Sequence, residues 1–315
     1  MAFNHESTTD EVIAGTRLVG KVAVITGVGA GLGFETARVL AAAGAKIVMM
    51  TRTEESQLAT LDALAELQPD ALIDGFVMDL SDLASIRAAA EALTSRYPKV
   101  DLLINNAGVM ACPQAQTKDG FELQFGTNHL GHFLFTCLLA PSLLAAAPSR
   151  VVNLSSAGHR FSQVDFDDPN FEHRDYDKWV AYGQSKTANA LFSVALNRRL
   201  ASAGVTANAV HPGMIVTELG RHLEESDISD LMERASQRTV GFKSIPAGAA
   251  TSVWAATSPE LEGKGGLYLE DCQVAAVNPD NMDNGYEPYA LDPEAAERLW
   301  SLSEQLVGQE FELGN

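Results

Sequence analysis

The sequence predicts an α/β protein built on a doubly wound parallel sheet with helices on both faces. Two observations lead to this prediction. Short, nearly continuous apolar runs alternate with Ala/Leu-rich segments, and a glycine-rich turn follows the first run. Strands of a parallel sheet are covered on both faces, so they appear as apolar runs rather than as alternations. Repeated alternation of strand and helix indicates parallel strands joined by crossover helices.

Seven apolar runs are interpreted as strands, at residues 22–26, 46–51, 73–78, 101–105, 151–154, 205–210 and 266–269. Helices are predicted between them at about 32–43, 54–67, 83–96, 121–147 and 179–202. Gly44 and Pro69 end the first two helices, because glycine follows a last turn and proline cannot continue one. No repeat or linker divides the chain, so we predict one domain over 18–315 after an irregular extension at 1–17. Asn, Asp, Gly and Pro concentrate at 279–293, which predicts another irregular segment.

The charge balance argues against two classes of partner. The 315 residues carry 22 Lys and Arg against 41 Asp and Glu, a net charge of −19. Nucleic-acid and anionic membrane surfaces need clustered basic side chains, so we expect neither partner. The longest apolar stretch, at 133–147, is interrupted by polar residues and falls short of a membrane span. Three scattered cysteines and a start unlike a signal peptide favour a cytoplasmic location.

A glycine-rich turn connects the first predicted strand to the first helix. It matches the spacing TGxxxGxG, with Thr26, Gly27, Gly31 and Gly33 at the fixed positions. Glycines there let a pyrophosphate approach the backbone, and the helix that follows offers free N–H groups and the positive end of its dipole. The turn therefore predicts a Rossmann-type dinucleotide site. The alternative is a glycine-rich turn that serves only helix–sheet packing.

The end of the second predicted strand indicates which dinucleotide is bound. A carboxylate at this place binds the ribose hydroxyls of NAD, whereas an arginine accepts the 2′-phosphate of NADP. Here Thr51 is followed by Arg52, and neither side chain is acidic. Because an arginine offers a planar pair of donors to a phosphate, we expect NADP(H), with NAD(H) as the alternative.

Tyr182 and Lys186 stand four residues apart in a predicted helix. That spacing places both side chains on one face. A cation near a phenol favours the phenolate and lowers its pKa toward neutral, which makes the tyrosine a usable general acid or base. The pair alone is a weak signal, because tyrosine and lysine at this spacing are common on solvent-facing helices.

The order of the motifs along the chain is more specific than any one of them. The chain carries, in sequence, TGxxxGxG, Asn105-Asn106-Ala107-Gly108, Asn128, Ser155-Ser156, YxxxK and His211-Pro212-Gly213. In this combination it resembles the short-chain dehydrogenase/reductase superfamily, from about residue 18 to residue 306. The stretch at 128–133 and the end containing Trp300 resemble the branch of retinol dehydrogenases and the WW-domain oxidoreductase. An acidic, Phe-containing segment at 161–178 lengthens the distance from Ser156 to Tyr182, as in that branch.

The resemblance implies four catalytic residues, namely Asn128, Ser156, Tyr182 and Lys186. Tyr182 exchanges a proton with the substrate oxygen, and Lys186 lowers the pKa of Tyr182 and holds the nicotinamide ribose. Ser156, the later serine of its pair, polarises the substrate oxygen, and Asn128 positions a water of the proton relay. Cofactor contacts are expected at Thr26, Gly27, Gly31, Leu32, Gly33, Thr51, Arg52, Asp79, Leu80, Asn105, Ala107, Gly108, Tyr182, Lys186, Pro212, Gly213 and Thr217. Of these, Asp79 meets the adenine and Asn105 the adenosine-ribose side.

Two further segments have competing interpretations. His129 and His132 have the HxxH spacing of a metal site, but no third ligand is visible, so packing and helix hydrogen bonds are the favoured interpretation and no metal is expected. The segment at about 214–245 corresponds to the substrate lid of the family. Its apolar face either closes on an apolar substrate or packs on the core. His159 is interpreted as part of a solvated loop.

The leading functional hypothesis is an NADP(H)-dependent oxidoreductase that interconverts an alcohol and a ketone or aldehyde. An NAD-dependent alcohol dehydrogenase is the alternative within enzymes, and a catalytically silent dinucleotide sensor or scaffold is the alternative of another class. The resemblance to retinol dehydrogenases indicates a small, lipophilic alcohol or carbonyl substrate. It also leaves open a homo-oligomer, because dimers and tetramers are common in the family.

Overall fold

A computed structural model describes residues 3–236, 241–278 and 284–313. Within these residues the chain forms an eight-stranded sheet, in the spatial order β3-β2-β1-β4-β5-β6-β7-β8. The strands are β1 Val22–Thr26, β2 Lys46–Thr51, β3 Ile73–Val77, β4 Leu102–Asn105, β5 Ser149–Leu154, β6 Val205–His211, β7 Tyr268–Glu270 and β8 Gln273–Val274. All neighbours pair in parallel except β7 and β8. The α/β class and the parallel sheet are thus confirmed, and the short antiparallel β8 is an addition.

Helices cover both faces of the sheet. The described part of the chain contains α1 Thr9–Ile13, α2 Gly31–Ala42, α3 Glu54–Leu67, α4 Leu83–Arg96, α5 Leu123–Phe125, α6 Gly131–Ala145, α7 Lys178–Leu200, α8 Glu225–Ser236, α9 Ile245–Thr257 and α10 Pro293–Val307. Several begin at a side chain that accepts hydrogen bonds from the first turn: Thr53 before α3, Asp82 before α4, Asp177 before α7 and Asp292 before α10. Such caps satisfy backbone donors that have no partner inside the helix.

The two faces of the sheet carry two separate hydrophobic cores. On one face, Val24 and Leu103 pack with residues of α4, α6, α7 and α10. On the other, Ile25 and Ile104 pack with residues of α2 and α9. Side chains alternate across a strand, and the central strands β1, β2, β4, β5 and β6 are largely buried on both sides, whereas β3 and β8 at the edges are not.

The predicted helix at 121–147 is divided in the structure. Between α5 and α6 lies one π-helical turn, Gly126–Leu130, in which the Gly131 N–H donates to the Gly126 carbonyl. π turns are rare and occur frequently at functional sites. This one contains Asn128, so the irregularity lies at a predicted site residue.

The N-terminal segment 1–17, expected to be irregular, contains a helix. α1 begins with a capping box between Thr8 and Glu11. The buried Thr9 hydroxyl donates to Glu35 of α2, and Arg38 bonds both Glu35 and Asp10. These contacts fix the segment on the α2–α9 face, and they depend on partners distant in sequence. A local composition argument therefore could not find the helix.

The segments named from their composition or from family resemblance are partly described. The candidate lid, at about 214–245, contains a 3-10 turn at Glu218–Gly220 and α8, and residues 237–240 lie outside the described part. Its base is closed by a hydrogen bond from the Lys243 N–H to the Met214 carbonyl, 2.8 Å. In the segment 279–293, expected to be irregular, residues 279–283 lie outside the described part, and Pro288–Leu291 forms a 3-10 turn.

Candidate active site

A large cavity opens at the carboxyl ends of the central strands. Its volume is about 1500 Å³, more than the ~300–1000 Å³ of a pocket for one small ligand. The chain reverses its direction of winding between β1 and β4, and open α/β sheets bind ligands at this switch point. The cavity therefore has the position and the size for a dinucleotide together with a second, smaller molecule.

Most of the residues predicted from the sequence meet in this cavity. Those that line it are Thr26, Gly27, Gly31, Leu32, Gly33, Thr51, Arg52, Asp79, Leu80, Ala107, Gly108, Ser156, Tyr182, Lys186, Pro212, Gly213 and Thr217. They come from the carboxyl ends of six strands, β1 to β6, and from α2, α7 and the candidate lid. Asn105 and Asn128 do not line it, and each is treated separately below.

The glycine turn presents uncapped backbone donors to the cavity. α2 begins at Gly31, which has a φ of 58°, and its N-cap residue, Ala30, makes no side-chain cap. The first-turn N–H groups are thus free to bind an anion. A side chain at Gly33 is impossible here, because its Cβ would lie 2.2 Å from the Gly27 carbonyl oxygen.

Thr26 holds two turns together rather than facing a ligand alone. Its hydroxyl oxygen accepts the backbone N–H groups of Asn106 and Ala107, both at 2.9 Å. The Asn106 amide in turn donates to the carbonyls of Thr26 and Gly27. The glycine turn and the loop after β4 are therefore one hydrogen-bonded unit.

Asn105 is a correction to the sequence prediction. It is buried, and its amide donates to Thr136 and to Asn153 at 2.8 Å each, away from the cavity. Its neighbour Asn106 lines the cavity instead. Successive side chains of a strand point to opposite faces, so only one residue of such a pair can face the crevice.

The part of the crevice at the end of β2 carries an uncommitted cation. Arg52 lines the cavity and is exposed, and among the described residues no carboxylate pairs with it. Asp79 also lines the cavity, but its carboxylate accepts the N–H and the hydroxyl of Ser81, at 2.8 and 2.7 Å. The Asp79 carboxylate thus stabilises the turn that contains Ser81.

Tyr182, Lys186 and Ser156 line the same cavity. Tyr182 is 4% exposed, and Ser156 is half-buried on the turn after β5. The Ser156 hydroxyl lies close enough to the Tyr182 phenol to lower its pKa. The Lys186 Nζ lies 5.7 Å from the centre of the Tyr182 ring and donates to the Leu154 carbonyl at 3.2 Å. Gly158 lets the ring approach, since a Cβ there would lie 2.6 Å from Tyr182 Cε1.

Burial controls the protonation of both groups. It raises the pKa of Tyr182 to about 12, and the Ser156 hydroxyl only partly offsets this. It also lowers the pKa of Lys186 to about 8. The expected lowering of the Tyr182 pKa toward neutral by Lys186 is thus absent from this structure, because desolvation of the phenolate is the largest cause of the shift and Ser156, not Lys186, opposes it.

Ser155 and Ser156 have different partners. The Ser155 hydroxyl is buried and donates to the Lys186 carbonyl at 2.8 Å, whereas the Ser156 hydroxyl accepts the Gly158 N–H at 3.0 Å and contacts Tyr182. Ser155 thus packs β5 against α7. The geometry favours Ser156 as the serine that meets a substrate.

Asn128 is engaged with protein groups. Its Oδ1 accepts the Val109 N–H, and its amide N–H groups reach the Val109 carbonyl and the Ser185 hydroxyl, at 2.8–2.9 Å. Both amide hydrogens are therefore used, so the side chain fixes the loop after β4 against α7. A water-positioning role would have to use its remaining acceptor sites.

The three histidines singled out from the sequence all make buried hydrogen bonds. His129 contacts Ser303, and His132 contacts Thr26 and the Asn128 carbonyl. Within the described ranges no group of three side chains could hold a metal ion. The interpretation of His159 as part of a solvated loop is wrong: it is fully buried and contacts Tyr268 and the Glu287 N–H.

Further residues complete the cavity wall, some from the candidate lid and others, Val109, Met110, Leu123 and Phe161, that the sequence analysis did not assign. They are mostly apolar, namely Val109, Met110, Leu123, Phe161, Ile228, Met232 and Phe242. Trp179 also lines it and packs edge-to-face on Phe161. Apolar residues before and after the catalytic helix carry no signal of their own in the sequence, because their convergence depends on the lid lying over α7.

A parallel sheet with a dinucleotide crevice, and a Ser–Tyr–Lys group beside it, define the short-chain type of NAD(P)-dependent oxidoreductase. The family model for short chain dehydrogenase matches residues 21–228. The chain is 41% identical to human retinol dehydrogenase 14, over 92% of this chain and 87% of that protein. It therefore belongs to the short-chain dehydrogenase/reductase family and is an NAD(P)-dependent oxidoreductase.

Two solved structures are also similar. An uncharacterized protein from Mycobacterium paratuberculosis is 34% identical, with a TM-score of 0.74 over 96% of this chain and 98% of that one. A gluconate 5-dehydrogenase from Burkholderia cenocepacia, solved with NADP and tartrate, is 26% identical, with a TM-score of 0.63 over 81% of this chain and 94% of that one. Among the helices of the described residues, none is long and apolar enough to span a bilayer.

Proposed function

We propose that the protein is an NADP(H)-dependent carbonyl reductase in which Tyr182 is the general acid, and the general base in the reverse reaction. One observation carries this proposal: a buried, protonated phenol next to Ser156 faces the cavity that also contains the uncapped start of α2. Proton donor and dinucleotide site thus share one enclosure.

The chain offers groups for each part of a dinucleotide. The free N–H groups at the start of α2 fit the pyrophosphate, and Lys186, Pro212 and Gly213 line the part of the cavity next to Tyr182, where the nicotinamide ribose belongs. When bound, the reduced dinucleotide supplies the hydride. The side chains of this protein supply the proton and stabilise the charge that develops on the substrate oxygen.

Arg52 supports a preference for NADP(H). It is exposed in the cavity at the end of β2, where an acidic residue would instead bind the ribose hydroxyls. Its guanidinium can form two charge-assisted hydrogen bonds to a 2′-phosphate. The Burkholderia gluconate 5-dehydrogenase of similar fold was solved in complex with NADP, which is in keeping with this preference.

The proposed reaction needs two donors at one oxygen. As a carbonyl is reduced, negative charge develops on its oxygen, and the Ser156 and Tyr182 hydroxyls stabilise that charge. Tyr182 then transfers its proton to the oxygen, giving the alcohol. A phenol with a raised pKa is fully protonated at neutral pH, which is the state that donation requires.

The outer cavity supports a lipophilic substrate. Phe161, Trp179, Ile228, Met232 and Phe242 line it, and burial of apolar surface drives binding there. A relative named retinol dehydrogenase 14 is in keeping with an alcohol or carbonyl on an apolar body. We therefore expect aldehydes and ketones with extended apolar groups to be better substrates than short polar ones.

The cofactor preference is tested by titrating NADPH and NADH against the wild type and Arg52→Gln, following the fluorescence of the bound nicotinamide. The substitution removes hydrogen bonds to a charged group, worth about 1.5–3 kcal/mol, so NADPH binding is expected to weaken roughly 10- to 100-fold. NADH binding changes little. Arg17→Gln, an exposed arginine outside the cavity, is the matched control and leaves both affinities unchanged.

Wild-type protein that binds NADH as tightly as NADPH would contradict the preference. Binding of neither would instead favour a protein that keeps the fold without the reaction. Steady-state loss of NADPH absorbance with a panel of apolar aldehydes and ketones then tests the reaction itself.

A further inference from the structure

His132 joins the dinucleotide turn to the segment that carries Asn128. We propose that His132 is a positioning residue, which couples the glycine turn to the catalytic helix through two directed hydrogen bonds. The inference rests on the proposed function, since it concerns the same site. His132 itself does not line the cavity, so it acts through its two neighbours.

The ring has a partner on each nitrogen. His132 is 1% exposed. Its Nε2 lies 2.9 Å from the Thr26 hydroxyl oxygen, and its Nδ1 lies 2.9 Å from the Asn128 carbonyl oxygen. Thr26 belongs to the glycine turn and Asn128 to the π turn, 102 residues later in the sequence.

The hydrogen bonds around Thr26 settle the tautomer. The Thr26 oxygen already accepts the N–H groups of Asn106 and Ala107, which uses both of its lone pairs. Its hydroxyl hydrogen must therefore point to Nε2, and the ring hydrogen on Nδ1 points to the Asn128 carbonyl. A protonated ring would aim Nε2–H at an oxygen with no free lone pair. Burial likewise lowers the pKa of His132, to about 4, so the neutral ring persists at physiological pH.

The bridge reaches the catalytic helix in two more steps. Asn128 donates to the Ser185 hydroxyl of α7, which neighbours Lys186, and it fixes Val109 in the cavity wall. A displacement of the glycine turn is thus transmitted through Thr26, His132 and Asn128 to the helix that carries Tyr182. The geometry requires an imidazole, because a smaller side chain cannot reach both partners at once.

Three substitutions separate the two halves of the bridge. His132→Asn places an amide N–H near the position of Nδ1 and keeps the bond to the Asn128 carbonyl, but it cannot reach Thr26. His132→Gln places an acceptor near the position of Nε2 and keeps the bond to Thr26. His132→Phe retains the ring volume and loses both bonds.

The test measures the dissociation constant of NADPH by fluorescence and kcat at saturating NADPH with an apolar aldehyde. For His132→Phe, we expect kcat to fall about 10- to 100-fold, the scale of a misplaced catalytic group, with weaker NADPH binding. His132→Asn should keep kcat within about threefold of wild type, about 0.65 kcal/mol, but bind NADPH more weakly. His132→Gln should bind NADPH within about threefold of wild type but have a lower kcat.

His129→Phe is the matched control, since His129 lies three residues earlier and is equally buried but contacts Ser303 of α10. His129→Phe should lower Tm without changing kcat at saturating NADPH. A purely structural role for His132 predicts the same pattern for all four variants, and that result would overturn the proposal.

Retention of wild-type kcat and NADPH affinity by His132→Phe would also overturn it. If His132→Phe does not fold, the opposite losses in the Asn and Gln variants still decide the question. If wild type binds NADPH but turns over no carbonyl compound, the proposed function fails. The affinity difference between His132→Asn and His132→Gln remains measurable without any substrate, so the two failures are distinguishable.

Discussion

At the scale of single residues, burial sets the protonation states on which the reaction depends. Tyr182 and Lys186 are shifted in opposite directions on the pH scale for the same reason, because each loses the hydration of its charged form. Tyr182 therefore remains a donor over the whole physiological range. Lys186 carries its charge below pH about 8 and loses it above.

Because Lys186 loses its charge above pH about 8, we expect the activity to depend on pH. The value of kcat/KM for NADPH reports groups of the free enzyme, and it is expected to fall above pH about 8 as the Lys186 ammonium loses its proton. In Lys186→Arg the charge persists, so the alkaline loss should disappear, although kcat at neutral pH is lower. Lys264→Arg, at an exposed lysine outside the cavity, should retain the loss. An identical alkaline limb in Lys186→Arg would assign the titration to another group.

The site residues show what a sequence can and cannot place. The glycine turn, Arg52, Ser156 and the Tyr–Lys pair were predictable, because each depends on local spacing next to one strand or helix. The choice between Asn105 and Asn106 was not, because it depends on which face of β4 meets the crevice. The partners of Asn128 lie on two other segments.

At the scale of elements, an ion pair holds the candidate lid against the catalytic helix. Lys178 is the first residue of α7, and its Nζ lies 2.6 Å from a carboxylate oxygen of Asp227 in the first turn of α8. The Asp227 side chain is only 7% exposed and also accepts the Glu224 N–H at 2.8 Å. The pair therefore stabilises the arrangement in which Ile228 lies in the cavity wall.

Asp227→Asn keeps the shape and one acceptor but removes the charge. A partly exposed ion pair contributes up to about 1 kcal/mol, so we expect KM for an apolar aldehyde to rise roughly three- to fivefold, with NADPH affinity unchanged. Steady-state kinetics at saturating NADPH measure both. The matched control is Asp167→Asn, which removes an exposed pair with Arg298 that involves neither the lid nor the cavity wall. An unchanged KM in Asp227→Asn would mean that the pair does not hold the lid.

The helices differ in how well their sequence defines them. The predicted segments at 32–43, 54–67 and 83–96 correspond to α2, α3 and α4, because caps and stop signals mark their ends. α1 was missed although Thr8 and Glu11 form a capping box, because so short a helix also needs its contacts with Glu35 and Arg38. The π turn also had no local signal, because it depends on the fit of α5 and α6 beneath the cavity.

At the scale of the whole molecule, the sheet order places the site. β1 and β4 are neighbours although β2 and β3 lie between them in sequence, and this reversal opens the crevice that the glycine turn borders. Alternating apolar runs are enough to predict such a sheet, so the fold was predictable as a class. The identity of the substrate was not, because one fold hosts many reactions and the outer cavity is assembled from separate segments.

The molecule as a whole is strongly acidic, yet its cavity is not. Arg52, Lys186 and Arg221 line it together with two carboxylates, Asp79 and Glu218, in a chain of net charge −19. The side chains that line the cavity thus lack the acidic excess of the chain as a whole. Charge within a cleft acts locally because the low-dielectric walls focus its field.

The most direct measurement is the rate of NADPH consumption by Tyr182→Phe with an apolar aldehyde, compared with wild type at equal occupancy by NADPH. Loss of the proton donor should reduce kcat by at least about 100-fold, the contribution of a positioned general acid, while the dissociation constant of NADPH stays within about twofold of wild type. Tyr97→Phe, which removes a phenol bonded to Asp74 outside the cavity, should keep full activity. If Tyr182→Phe retained most of its turnover, Tyr182 would not be the proton donor.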